Sequence, residues 1–388
     1  MRIVHIAPNA PYNEGWGYQE NLLPKYQAKA GHAVTLIITN QEHRDGTLQQ
    51  VPETRYLSEN GGFEVIRKQE ILPPVPKIKH LFTKLDVYDL LVELKPDLIF
   101  YHGLVSMTIF QVVKYKKNVD PKVIIVQDNH FDYNIGFKPD KSIRDRIYAK
   151  LYRSVYSRTD SYISKVYGVT PWRSTYAQEV FGVPSSKADV LIMGADDEKL
   201  HLENREKIRE TVRARYNIGA EDFLIVTGGK IDRRKKIDLL MKACGEMGGN
   251  IKLLVFGQVA DDVKAEFDAL VQAHSNILSI GWINADSVYD YFFAADLVFF
   301  PGQHSVLWEQ ACASKVPCVF EKWTGMDHVD NGGNSAFISP VTVENIQKMI
   351  TELHFTPKYF DMKQVAQSQA TDVYLYSKIA EKSVEAVE

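Results

Sequence analysis

Little in this chain invites a disulfide, a membrane span or a nucleic acid. Only three cysteines, Cys244, Cys312 and Cys318, occur in 388 residues. Each stands among apolar neighbours without metal-ligand spacing, which predicts reduced, buried thiols and a cytosolic setting. No apolar run approaches the roughly 18 residues a helix needs to cross a bilayer. The opening MRIVHIAPNAP reads as a strand and lacks the apolar core of a secretory signal. Any membrane contact is therefore expected to be peripheral, at the inner face. A formal net charge of −3 argues against a dedicated nucleic-acid binder, which would normally carry a basic excess. Internal repeats and low-complexity tracts are absent, and no two aspartates are separated by a single residue.

What is present is an ordinary globular composition, 45% hydrophobic and 24% charged. The length suits two domains of roughly 150 residues or more. Short apolar strands alternate with amphipathic helices, the pattern of parallel sheets covered on both faces. The first sheet is expected from residues 1–7, 33–39, 97–103, 122–128, 161–166 and 189–194. The second is expected from FLIVTGG, KLLVFG, ILSIGW, LVFFPG and CVFEK. The stretch after Gly194, charge-rich through 201–216, reads as the connection between domains.

In open parallel sheets, ligands sit beyond the carboxyl ends of the strands. The segment GGKIDRRKKIDLLMKA (228–243) follows the apolar run FLIVT and places Lys230 and Lys235 at a Gly-rich strand-to-helix turn beginning at Gly229. Free backbone amides and the positive end of a helix there suit a diphosphate. The same segment also reads as a lysine-rich, solvated helix start. Gly15 and Gly17, in NEGWGYQE, follow the first strand. A dinucleotide-binding Gly-x-Gly-x-x-Gly is ruled out because Glu20 takes the place of its third glycine. Asp128 and His130 close another strand, where either could orient a hydroxyl or take its proton. His102 is a weaker candidate of the same kind.

Downstream follow LLVFGQ, NILSIGWI, DYFFAADLVFFPG and HSVLWEQACA, ending at VPCVF. With IMGADDEKL (192–200) and the Gly-rich first helix, this order resembles glycosyltransferase family 4 over most of the chain. The resemblance implies an α/β, GT-B fold: two Rossmann-like, doubly wound parallel-sheet domains facing a central cleft. An acceptor-binding domain is implied over 1–195, a nucleotide-sugar-binding domain over 196–370, and a C-terminal helix, 371–388, crossing back to the first domain.

Family resemblance also implies roles. Lys230 stands where the family has an arginine, and Lys235 matches its lysine; both would contact the donor diphosphate. Gly15 and Gly17 would lie near the donor phosphates. Gln258, Trp282 and Ile283 would hold the nucleobase, although Trp282 could equally be a core aromatic. His304, with Ser305 and Val306, would meet the diphosphate or sugar. The family's Glu-x7-Glu pair is divergent: Pro301 stands eight positions before Glu309 and Gly302 eight before Gln310, so the first glutamate is missing. Glu309 is assigned the ribose contact, with Gln310 as the alternative.

The implied activity is retaining transfer of a hexose from a nucleotide sugar, uridine-linked by preference, to a glycan or lipid-linked acceptor in cell-surface polysaccharide or glycoconjugate synthesis. No cofactor or metal is expected, since the Asp-x-Asp that holds a divalent ion in many glycosyltransferases is absent. A nucleotide-sugar epimerase or hydrolase, or a non-catalytic scaffold, remains an alternative. Segments 73–85 and 140–158 interleave Lys and Arg with Tyr, Phe and Leu, a pattern suited either to an anionic membrane surface or to a solvated helix whose tyrosines pack inward.

Overall fold

The structure is a computed structural model that describes residues 1–59, 61–71 and 79–385. The chain divides into two compact units. One comprises Met1–Ile192 and the chain from Tyr376 onward, and the other comprises Met193–Leu375.

The strands of the first unit are β1 (Arg2–Ala7), β2 (Ala33–Thr39), β3 (Gln41–Arg44), β4 (Thr47–Gln50), β5 (Thr54–Leu57), β6 (Glu64–Lys68), β7 (Leu98–Tyr101), β8 (Ile124–Asn129), β9 (Lys165–Gly168) and β10 (Ala188–Val190). Its main sheet runs β10-β9-β8-β7-β1-β2-β6-β5, parallel except for β5, while β3 and β4 form a separate antiparallel ribbon. Apolar residues on both faces make β1, β2 and β7 near-continuous hydrophobic runs, as burial under helices on each side requires. In β1, Val4 and Ile6 face one core cluster while Ile3 and Ala7 face the other. His5, alternating with them, is fully buried and needs polar partners. The last helix, Tyr376–Val384, packs on helix Gln19–Lys29, with Tyr26 and Tyr376 stacked at 6.2 Å.

The second unit holds β11 (Phe223–Ile231), β12 (Ile251–Val259), β13 (Ile277–Gly281), β14 (Leu297–Phe300), β15 (Cys318–Glu321) and β16 (Ser335–Ile338). They form one parallel sheet ordered β13-β12-β11-β14-β15-β16. Helix Ile237–Met247 buries the expected stripe of Ile237, Leu240, Met241 and Cys244 against it. The three cysteines are free and buried.

Several details differ from the sequence reading. Strands β5, β6 and β16 extend the sheets beyond the expected set; they are short, and β6 is charged at both ends. Lys165–Gly168 forms β9, later than expected, because Asp160–Tyr162 is taken by a helical turn. Stretch 201–216 contains a helix, Arg205–Arg215, inside the second unit rather than a free connection. Arg209 and Arg213 anchor it on the 4% exposed Asp296 and on carbonyls of residues 293–295.

Candidate functional site

In both sheets the strand order reverses beside the first strand of the unit; Lys230, Lys235, His102 and His130 lie at or beside those two points, whereas Trp282 and Ile283 follow the edge strand β13. In the second unit the reversal lies between β11 and β14. Lys230 is not at a helix start. It is an exposed residue near the end of β11, in register with exposed Gln258 on β12. Lys235 closes a helical turn, Arg233–Lys235, that precedes helix Ile237–Met247. Its Nζ donates to Gln303 O at 2.6 Å and approaches His304 O at 3.4 Å, so the ammonium is seated on the loop after β14. Burial pushes its pKa down to about 8.

Two glycines make this junction possible. Gly229 has φ +105, a conformation side-chain-bearing residues rarely adopt. At Gly302 an added Cβ would lie 2.4 Å from backbone atoms of Arg234 and Lys235, and Gln303 N donates to Arg234 O at 3.0 Å. The two loops therefore hold each other through backbone contact.

The loop after β14 leads through half-buried Ser305 and Val306 into a seven-residue helix, Leu307–Ala313. Glu309 on that helix is not an exposed carboxylate. Its side chain is 0% exposed, and Oε1 lies 2.8 Å from His304 Nε2 and 2.7 Å from His328 Nε2. Burial alone would raise its pKa, but His304 and His328 hold it well below the usual carboxylate range. Gln310, the next residue, is half-buried. Trp282 follows β13 and is 73% exposed, which removes it from the core; Ile283 beside it is half-buried.

In the first unit the reversal lies between β1 and β7, and a cavity of about 210 Å³ opens there. Its lining includes Asn9, Glu20, His102, Asn129, His130 and Phe131. Below it runs a buried chain of polar side chains. Asp128, 0% exposed, accepts from Gly103 N at 2.7 Å and from His102 Nδ1 at 2.8 Å. His102 Nε2 and His5 Nδ1 share one hydrogen across 3.0 Å, and His5 Nε2 meets Gln27 Oε1 at 2.6 Å. Gln27 in turn reaches Ser383 on the last helix at 2.8 Å. Burial, and next the neighbouring His102, push the His5 pKa down to about 3, leaving a neutral ring.

His130 stands over this chain with Nε2 3.5 Å from Asp128 Oδ2 and 40% of its side chain exposed. Burial opposes its protonation, yet the Asp128 carboxylate outweighs that and raises its pKa. Asp128 is itself resisted by burial and rescued by His102 and His130, which hold it far below the usual carboxylate range. A buried anion beside a half-exposed imidazole can orient and exchange a proton with a hydroxyl. Gly15, at φ +75, and exposed Gly17 precede helix Gln19–Lys29.

No family model matches this chain, and no curated protein matches it. Solved structures do. A glycosyltransferase from Rickettsia africae is similar at TM-score 0.70 and 13% identity, over 100% of this chain and 97% of that one. HepE from Anabaena, in complex with UDP, is similar at TM-score 0.67 and 17% identity over 99% of each chain. A UDP-GlcNAc 2-epimerase from Neisseria meningitidis, bound to UDP-GlcNAc, is similar at 0.61 and 14% over 100% and 99%.

The fold is GT-B. Within it the sequence reading located Asp128, His130 and Lys235 at strand ends but missed His5, Gln27, Ser383 and His328. His5 carried a signal, a lone polar residue inside an apolar strand. The other three are ordinary polar residues whose partners lie far off in sequence.

Proposed function

We propose that this chain is a family-4-like glycosyltransferase that moves a sugar, with retention, from a UDP-sugar to a hydroxyl of a glycan or lipid-linked acceptor. The second unit takes the donor and the first the acceptor. The observation that carries the proposal is Lys235. A partly desolvated ammonium is fixed by backbone carbonyls at the switch point of a parallel sheet, where a departing nucleoside diphosphate gains charge. Lys230 adds a second, solvent-facing cation, so diphosphate stabilisation is assigned to these two lysines and not to a metal. Gln310 is assigned the ribose hydroxyls, because Glu309 is fully buried with both imidazoles on its Oε1. Gln258, Trp282 and Ile283 flank the base. Asp128 and His130 orient the acceptor hydroxyl.

Helix Ile143–Ser157 suits a lipid-linked acceptor. Tyr152 and Tyr156 do pack inward, yet Ile143, Ile147 and Leu151 form a stripe 76%, 53% and 42% exposed, flanked by exposed Arg144, Arg146, Lys150 and Arg153. Such a face favours the inner surface of an anionic membrane. Of the other basic segment, residues 73–78 lie outside the described residues, while Leu81 and Leu85 belong to the core. Among the described residues no helix is long and apolar enough to cross a membrane.

Likeness to a UDP-GlcNAc 2-epimerase favours a second reading, an epimerase or hydrolase of the same fold; the missing first glutamate favours a third, a non-catalytic scaffold. A panel of UDP-sugars, incubated with and without cell-envelope extract, separates them. Transfer releases UDP only with acceptor, epimerisation or hydrolysis consumes donor without it, and a scaffold binds without turnover.

A further inference from the structure

Two imidazoles and a carboxylate meet in a buried cluster of the second unit. His304 comes from the loop after β14, Glu309 from helix Leu307–Ala313 and His328 from the loop before β16. Their side chains are 6%, 0% and 8% exposed, and their donor atoms lie within 4.8 Å of one another. Both Nε2 atoms converge on the same oxygen, Oε1. Hydrogen bonding alone leaves the set incomplete: among the described residues the buried Oε2 of Glu309 has no partner, nor has buried Nδ1 of His328. An ionised oxygen without a donor in a dry site is costly, and native proteins rarely leave one so.

We propose that His304, Glu309 and His328 bind one divalent cation of the zinc type through two imidazole nitrogens and the carboxylate. Two imidazoles and a carboxylate suit a borderline cation that keeps an open fourth position, whereas magnesium and calcium prefer oxygen throughout. With bonds of about 2.0–2.1 Å, tetrahedral ligands stand about 3.3 Å apart, so each Nε2 need draw away from Oε1 by only about half an ångström. Each Nε2 gives up its hydrogen on binding, to Nδ1 or to solvent, and Oε2 gains the cation as a neighbour. The ion clips the 323–334 loop to the loop whose carbonyls seat Lys235. This goes beyond the transferase reading, and its test needs no nucleotide.

Full-length protein, stripped by chelator dialysis, is titrated with Zn2+ by calorimetry and with Co2+ by visible absorption. One equivalent per chain is expected, with the intense absorption of low-coordinate cobalt. His328→Gln and Glu309→Gln should each weaken binding by about tenfold or more, as loss of a ligand demands, whereas His130→Gln should leave it unchanged. Should either variant unfold, stoichiometry and the cobalt spectrum of the unaltered protein decide. Absence of a stoichiometric site, unaltered affinity in both ligand variants, or loss of binding in His130→Gln overturns the proposal.

Discussion

Replacing Lys235 with methionine keeps the aliphatic stem and removes the charge. Its Nζ spends one hydrogen on Gln303 O at 2.6 Å and sits 3.4 Å from His304 O, leaving donor capacity for an anion. A charge-assisted hydrogen bond in such a site contributes roughly 1.5–3 kcal/mol. UDP affinity should therefore fall about 10- to 150-fold. The pH dependence follows from burial, which lowers this ammonium from the ordinary 10.5 to about 8. Only the protonated form attracts diphosphate, so unaltered protein should bind UDP fully below about pH 8 and progressively less above it. The same depression means the folded state binds this proton less tightly than the unfolded state, so the group's effect on stability improves between about pH 8 and 10.5. Calorimetry with UDP on either side of pH 8, with thermal melts as a folding control, measures both effects. Equal UDP affinity in Lys235→Met and unaltered protein below pH 8, or no pH dependence in the latter, would overturn this role for Lys235.

Asp128→Asn removes the charge that raises the His130 pKa, so His130 should titrate at lower pH, as imidazole NMR signals would report. Because the folded pKa of His130 is raised, its stabilising contribution is present below the unfolded value of about 6.5 and lost as pH rises through the folded value; the variant should lack it. Gly302→Ala places a Cβ 2.4 Å from the backbone of residues 234 and 235, so a stability loss of about 1–3 kcal/mol and weaker UDP binding are expected in denaturation and calorimetry. Asp296→Ala strands Arg213 and leaves Leu224 N without its side-chain acceptor; breaking this buried pair should cost about 3–5 kcal/mol in urea unfolding. Ile143→Glu with Ile147→Glu should abolish flotation with anionic liposomes while leaving the melting temperature within a degree or two; unchanged flotation would remove the membrane assignment.

Hydrophobic periodicity by itself determined that parallel sheets alternate with helices, because strands buried on both faces must be apolar throughout. It also placed Lys235, Asp128 and His130 at strand ends, since a helix following an apolar run leaves its connecting loop at the carboxyl edge. Tertiary structure alone decided what those residues touch. Glu309 is assigned a ribose contact from the sequence, and only the fold brings His328, nineteen positions away, against it. Trp282 has core composition but lies outside the core, and His5 finds its partners at His102 and Gln27 across the sheet and the covering helix. Local pattern records which face of an element is apolar; which polar groups meet beneath that face depends on strand order, and strand order is a property of the folded chain.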